Sequence, residues 1–120
     1  IESITPCAND LELHSNLLLK TTGLMHSQIP NKGISAYLAN ATLYLDAFGH
    51  VVVAWMWLRQ AITATMNLPE AVNQDDKNFY QGKIKTCRYF MTYELPNIKA
   101  PLALLSQTDT QCMEFDVEGF

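Results

Sequence analysis

The sequence predicts an all-α fold: an up-and-down helical bundle with a long central helix and a last helix kinked by proline. Series of apolar residues predict it, because steps of three and four keep side chains on one face of a helix. The longest series comprises Ile34, Leu38, Ala41, Leu45, Phe48, Val52, Trp55, Ile62 and Met66. A helix of that span is about 50 Å long, and we expect it to bury this apolar face against other helices.

The first helix is predicted to begin at Thr5-Pro6, where a hydroxyl can cap the backbone and proline suits the first turn. It ends near Met25, and its apolar face is marked by Leu11, Leu18 and Met25. The segment Gln28 to Gly33 contains Pro, Asn and Gly, which predicts a connector. The long helix follows as one element, capped by Ser35 and ending at Asn67-Leu68-Pro69.

The polar residues Glu70 to Gln74 link the long helix to the next one, which Asp75-Asp76 is predicted to open as N-cap and first turn. Pro96 removes a backbone donor and predicts a kink, and Pro101 repeats the effect before Leu102 to Leu105. The apolar face of this last helix comprises Tyr80, Ile84, Cys87, Met91, Leu95 and Ile98. Residues 106–120 are predicted to form a loosely docked acidic tail, anchored by Met113, Phe115, Val117 and Phe120.

Composition indicates one domain of 120 residues, 1–120, that packs against something larger, since 48% of residues are hydrophobic and 17% charged. The net charge of −4 and the scattered cations argue against a nucleic-acid partner. Three unpaired cysteines are typical of a cytoplasmic protein. The longest apolar run, Val51 to Leu58, is too short for a membrane span, and the start at Ile1 suggests a fragment of a longer chain.

Polar residues within the helices are interpreted as structural. Asp46 and His50 lie four apart and predict a surface or interface ion pair. Arg59 interrupts the apolar series, which predicts a buried salt bridge to Glu94 or Asp46, with a ligand phosphate as the alternative partner. Gly49 and Gly82 each cost a helix about 1 kcal/mol against Ala, and we interpret both as points of close helix approach.

No pattern of residues predicts an active site. His14 and His26 lack a third ligand at metal spacing, and no helix carries the Glu-x-x-His pair of di-iron bundles. The glycines are isolated, so no phosphate-binding loop is predicted. Aromatic side chains recur at helical spacing and are assigned to the core, except Trp57, which lies off the series and is assigned to an interface. We therefore expect no catalytic, cofactor-binding or metal-binding residue.

One part of the sequence is more specific than the rest. The segments Asp76–Lys83, Arg88-Tyr89-Phe90 and Glu94-Leu95-Pro96, with the earlier Phe48-Gly49 step, resemble the C-terminal helical domain of certain bacterial acyl-CoA dehydrogenases. This family is the acetyl-CoA dehydrogenase C-terminal-like domain, and the resemblance extends from about Leu11 to Leu105.

The resemblance implies that the parent is a flavoprotein of fatty acid metabolism that removes hydrogens from the α and β carbons of an acyl-CoA thioester. A carboxylate base and FAD would belong to the preceding catalytic core, so no catalytic role transfers to this chain. The implied partners are that core, a second subunit of a homo-oligomer, or both. Two alternatives remain open: a stand-alone helical interaction or oligomerisation module, and a small-molecule-binding bundle.

Overall fold

The structure, a computed structural model, describes residues 4–120, and these contain helices and no strands. The all-α prediction is therefore confirmed for this part of the chain. Residues 4–120 form five α-helices, two of them long: α1 (Thr5–Ser27), α2 (Ile29–Leu38), α3 (Ala41–Asn67), α4 (Gln74–Tyr89) and α5 (Lys99–Ser106). Short 3₁₀ turns follow α3 (Leu68–Glu70) and occur in the tail (Gln111–Met113 and Val117–Gly119).

The predicted continuous helix from Ile34 to Met66 is wrong, because the chain breaks between α2 and α3. Asn40 has φ −114° and ψ 35°, outside the helical region, and occupies the N-cap position of α3 without a side-chain capping hydrogen bond. The Asn40 side-chain Nδ2 donates to the carbonyl oxygen of Asp109 at 2.9 Å. Because this partner lies 69 residues away, no local pattern could have indicated the break.

The predicted connector before this break is partly helical. Residues 29–32 form a helical turn, with Pro30 in the first turn of α2. Gly33 then has φ 86° and ψ 166°, a conformation open to glycine and strained for other residues, so α2 is kinked there. Ser35 lies just after this kink, but its side chain makes no capping hydrogen bond, contrary to prediction.

The start of α4 is set by Asn73 and not by Asp75. The Asn73 side chain accepts from the backbone N–H of Asp76 at 2.8 Å, and its own Nδ2 donates to the Asp76 carboxylate at 3.2 Å. Both aspartates lie in the first turn, where the helix dipole favours negative charge. The pattern therefore predicted the helix correctly and its capping residue wrongly.

The last helix loses α geometry before Pro96, as predicted. A π turn (Phe90–Glu94) leads into a 3₁₀ turn (Leu95–Ile98) that contains Pro96, and α5 follows. Pro101 falls in the first turn of α5, where a missing backbone donor costs little, so it adds no second kink. The predicted apolar face is buried along its length except for half-buried Tyr80, and Met91, Leu95 and Ile98 are at most 2% exposed.

The beginning of the tail lies against the break between α2 and α3. Thr108 is buried, and the Lys32 ammonium donates to the carbonyl oxygens of Gln107 and Thr108 at 3.2 and 3.3 Å. The side chains predicted as anchors are at least half exposed: Met113, Phe115, Val117 and Phe120. They therefore make little contact with the described helices.

The described chain is long and thin. Its extents are 65 × 31 × 17 Å and its radius of gyration is 19.2 Å. A compact domain of this length would have a radius of gyration of about 14 Å. Helices α1, α3 and α5 nevertheless contact one another pairwise, so the core of the described chain lies between these three.

Candidate docking surface

Helix α3 carries two apolar faces, and the smaller side chains form the buried one. Ala47, Ala54 and Ala61 recur at sevens and are at most 1% exposed. Leu58 and Ala64 complete this buried face, which packs against α1, α4 and α5. Because alanine side chains are small, the axis of α3 can approach the axes of its partner helices closely on this face. The alanine face is therefore the one that packs, although its side chains are the smaller ones.

The second face is the series that the sequence predicted as buried, and it is exposed. We call it the α3 stripe, and it comprises Ala41, Leu45, Phe48, Val52, Trp55, Arg59, Ile62 and Met66. Its large apolar side chains are between 40% and 71% exposed. Each of Phe48, Trp55 and Ile62 follows a buried alanine by one residue, which places it about 100° further round the helix. The burial prediction is therefore wrong for this chain.

Arg59 lies in this stripe without the predicted salt bridge. Its guanidinium carbon is 5.2 Å from the centre of the Trp55 ring, a cation–π contact one helical turn away. The side chain is exposed, and among residues 4–120 no carboxylate lies within ion-pair distance of it. The predicted buried pair with Glu94 or Asp46 is wrong, and Arg59 is an exposed cation on an apolar surface.

The predicted pairing of Asp46 with His50 is confirmed. His50 Nδ1 lies 3.7 Å from the Asp46 carboxylate and donates to the Asp46 carbonyl oxygen at 2.8 Å. Both residues line an open groove of about 450 Å³ between α3 and the π turn, with Gly49 and Phe90 on its walls. The groove borders the α3 stripe, since Leu45 belongs to both.

Trp57 and the two helical glycines are not where the sequence predicted. Trp57 is half-buried against the bundle, with the Lys83 ammonium 5.6 Å from its ring, so Trp55 is the exposed tryptophan. A Cβ built at Gly49 or Gly82 meets no other atom within 4 Å. The close-approach interpretation of both glycines is wrong, because the close contacts are made by alanines.

A second groove, of about 380 Å³, lies between α3 and α4. Arg59 and Lys83 line it together with Met56, Phe79 and Tyr80. The Lys83 ammonium lies 5.1 Å from the Phe79 ring and, like Arg59, has an aromatic neighbour in place of a carboxylate. Both grooves are shallow surface depressions, which favours contact with a macromolecule over enclosure of a small ligand.

Buried polar groups do not form a reaction centre. His14 is 3% exposed and its Nδ1 donates to the Asp10 carbonyl oxygen at 2.6 Å, while Nε2 has no partner among the described atoms. Burial and the adjacent Cys7 thiol raise the pKa of Cys87 to about 12, so this thiol stays protonated and unreactive. Within residues 4–120 no group of three His, Cys, Asp or Glu side chains could hold a metal ion.

One segment, Ala41–Glu70, is long and apolar enough to cross a membrane by length and composition. Core helices of soluble proteins meet the same criteria. Most of this segment is exposed in the described chain. The absence of a membrane span stays a prediction.

The fold and the exposed surface together define a class of protein: an all-α domain in which one long apolar helix face is not covered by the domain itself. The chain matches the family described as "Acetyl-CoA dehydrogenase C-terminal like" over residues 1–116. It belongs to this family, as the resemblance had indicated.

Two curated relatives are acyl-CoA dehydrogenases. The broad-specificity linear acyl-CoA dehydrogenase FadE5 of Mycobacterium tuberculosis (strain ATCC 25618 / H37Rv) is 27% identical over 77 residues, 64% of this chain. The butyryl-CoA dehydrogenase of Syntrophomonas wolfei subsp. wolfei (strain DSM 2245B / Goettingen) is 30% identical over 82 residues, 67% of this chain. The match spans 13% of each relative's length. No solved structure matches the chain.

Proposed function

We propose that this chain is the C-terminal helical domain of an FAD-dependent acyl-CoA dehydrogenase-like enzyme and that it packs on the catalytic core or on a neighbouring subunit. The exposed α3 stripe is the observation that carries the proposal, because a folded chain rarely leaves such a series in water. Family membership supports it, as does the small share of each relative that the chain matches.

The described residues do not fit a flavin site. The two grooves described above are open to solvent, and the sequence has no Gly-rich loop to approach a pyrophosphate. Bound in the parent enzyme, FAD would accept the hydride in the α,β-dehydrogenation of an acyl-CoA thioester. The residues of this chain would take no chemical step in that reaction, and their task would be to pack and to exclude water from the surface they cover.

The finer features of the prediction belong to the same proposal. The helices of this chain would run up and down and would complete their bundle against the catalytic part. Homo-oligomers would form through the full-length enzyme, and the enzyme would be cytoplasmic, where the free cysteines Cys7, Cys87 and Cys112 stay reduced.

The test compares the natural polypeptide with residues 1–120 alone. An antibody raised against this chain should detect a polypeptide several times longer, and its purified form should carry stoichiometric FAD and reduce an artificial electron acceptor with an acyl-CoA. Residues 1–120 alone should bind no FAD and show no turnover. A natural polypeptide without flavin, or turnover by residues 1–120 alone, would contradict the proposal.

A further inference from the structure

We propose that the α3 stripe docks on an apolar, helical surface of the enzyme's flavin-binding part, and that this surface carries a carboxylate opposite Arg59. This inference rests on the proposed function and deepens it, because it names the face that docks and the chemistry of its partner. Four properties of the stripe carry it: its area, its spacing, its unpaired cation and its lack of acids.

The area of the described chain indicates a large and permanent contact. Its accessible surface is 8033 Å², whereas a compact monomer of this mass exposes about 6,500 Å². The surplus of about 1,500 Å² belongs to the described chain as a whole, and it is comparable to what one partner buries in an obligate interface, about 1,000–2,500 Å². The α3 stripe is the longest continuous series among the exposed apolar side chains that contribute to it. A brief or weak contact would need far less.

The spacing of the stripe indicates that helices cover it. Its members repeat in steps of four and three from Ala41 to Met66, a length of about 38 Å at about 1.5 Å per residue. Such a repeat accepts the ridges of another helix along its whole length. The large side chains at Phe48, Trp55 and Ile62 leave gaps of one to two turns, into which a partner's side chains can fit.

The cation in the stripe indicates an acidic group on the partner. A surface that covers Trp55 also removes water from the Arg59 guanidinium, which lies 5.2 Å from the Trp55 ring. A desolvated guanidinium is stable only when paired and hydrogen-bonded. Because no carboxylate among residues 4–120 pairs with Arg59, the docking surface must supply one.

The composition of the stripe argues against a second copy of this chain as its occupant. A two-fold dimer would place stripe against stripe, since the same patch is used on both subunits. No member of the stripe is acidic, and the acid beside it, Asp46, already contacts His50 at 3.7 Å, so a dimer would have to draw on that pair to neutralise both copies of Arg59. A lipid surface is also disfavoured, because surface-binding helices carry several cations beside their apolar face and α3 carries Arg59 alone.

The test uses maleimide labelling of introduced cysteines in the full-length protein, in a background where Cys112, the exposed cysteine, is replaced by Ser. Labelling is read by mass spectrometry of the peptide that carries each introduced cysteine, because buried Cys7 and Cys87 also react in denaturant. Leu45→Cys places a thiol where the native side chain is 70% exposed in this chain. Its labelling rate in the folded protein should be at least 100-fold below the rate in denaturant. The matched control Lys85→Cys, at an exposed position of α4, should label at similar rates in both states.

Arg59→Glu tests the carboxylate. Facing an acid, the reversed charge should loosen docking and raise the labelling rate of Leu45→Cys at least tenfold, whereas Arg59→Lys should leave it nearly unchanged. Lys85→Glu is the matched charge reversal away from the stripe and should have no effect. A slow rate that persists in Arg59→Glu would overturn the acidic partner.

Other outcomes identify other occupants. Fast labelling of Leu45→Cys in a flavin-containing protein overturns the inference and leaves the proposed function standing. A flavin-free protein overturns both. Protection that is lost on dilution, together with a falling mass by light scattering, shows that a second copy occupies the stripe. Protection that appears only with vesicles of anionic phospholipid shows a membrane contact, and protection of Lys85→Cys as well shows that the stripe is not the specific face.

Discussion

The sizes of neighbouring side chains determine which face of α3 packs against the other helices. Ala54 is fully buried, and Trp55 beside it is 49% exposed. The sequence predicted the opposite, because burial was assigned to the series with the larger apolar side chains. Small residues permit close helix contact inside this chain, and the large ones beside them stay exposed, which is why we propose a partner for that face.

Enlarging Ala54 should destabilise the fold. Ala54→Leu inserts three carbons into a fully packed contact, and we expect the free energy of unfolding to fall by about 1–3 kcal/mol. The same change at exposed Ala41, on the same helix, should leave it within about 0.5 kcal/mol. Urea denaturation of residues 1–120 followed by circular dichroism measures both. Equal effects at the two positions would show that the alanine face is not the packed one.

Gly49 should be replaceable. Nothing lies within 4 Å of a Cβ at this position, so Gly49→Ala removes the helix penalty of glycine and should raise the free energy of unfolding by up to about 1 kcal/mol. Gly33→Ala is the contrasting variant, because φ of 86° strains any side chain there, and it should lower stability. A lower melting temperature for Gly49→Ala would restore the close-approach interpretation.

The cysteines should separate by reactivity. Cys112 is exposed and should react at once with a thiol reagent at mildly alkaline pH, whereas buried Cys7 and Cys87 should react only on unfolding. Burial and then the Cys7 thiol raise the pKa of Cys87 from the ordinary 9.0 to about 12. An unfolded thiol ionises first as pH rises, so the stabilisation from neutral Cys87 is present below pH 9 and declines up to about pH 12. Three equally fast thiols in the folded chain would contradict this burial.

At the scale of elements, patterns predicted helices well and their ends poorly. The face from Ile84 to Ile98 was predicted correctly, because both the period and the partner helices lie within the chain. The break before α3 was not, since the hydrogen bond from Asn40 to Asp109 depends on the folded chain. The capping residue of α4 was missed by two positions, although Asn is a favoured cap and Asn73 precedes the acidic first turn.

Removing this cap should weaken α4. Asn73→Ala deletes the acceptor of the Asp76 backbone N–H and should cost about 1 kcal/mol of stability. Asn73→Asp keeps the acceptor and should cost little, and Gln81→Ala, in the exposed interior of α4, serves as the control. Thermal melts followed by circular dichroism compare the three. A loss in Gln81→Ala equal to that in Asn73→Ala would assign the effect to helix propensity.

At the scale of the whole molecule, the family was accessible from the sequence and the exposed stripe was not. Short segments such as Asp76–Lys83 indicated the family that the match over residues 1–116 shows. Periodicity correctly indicated that the α3 stripe is apolar, but it carries no information on whether the covering helices belong to the same chain. The exposure of its large apolar side chains, between 40% and 71%, shows that the described residues do not cover the stripe themselves.

A structure of the full-length protein is the most direct test of the proposed docking of the α3 stripe. Trp55 is 49% exposed in this chain, and the account predicts that the flavin-binding part buries it, with a carboxylate of that part in contact with the Arg59 guanidinium. A full-length structure in which Trp55 faces solvent, or in which no flavin-binding part is present, would contradict the account.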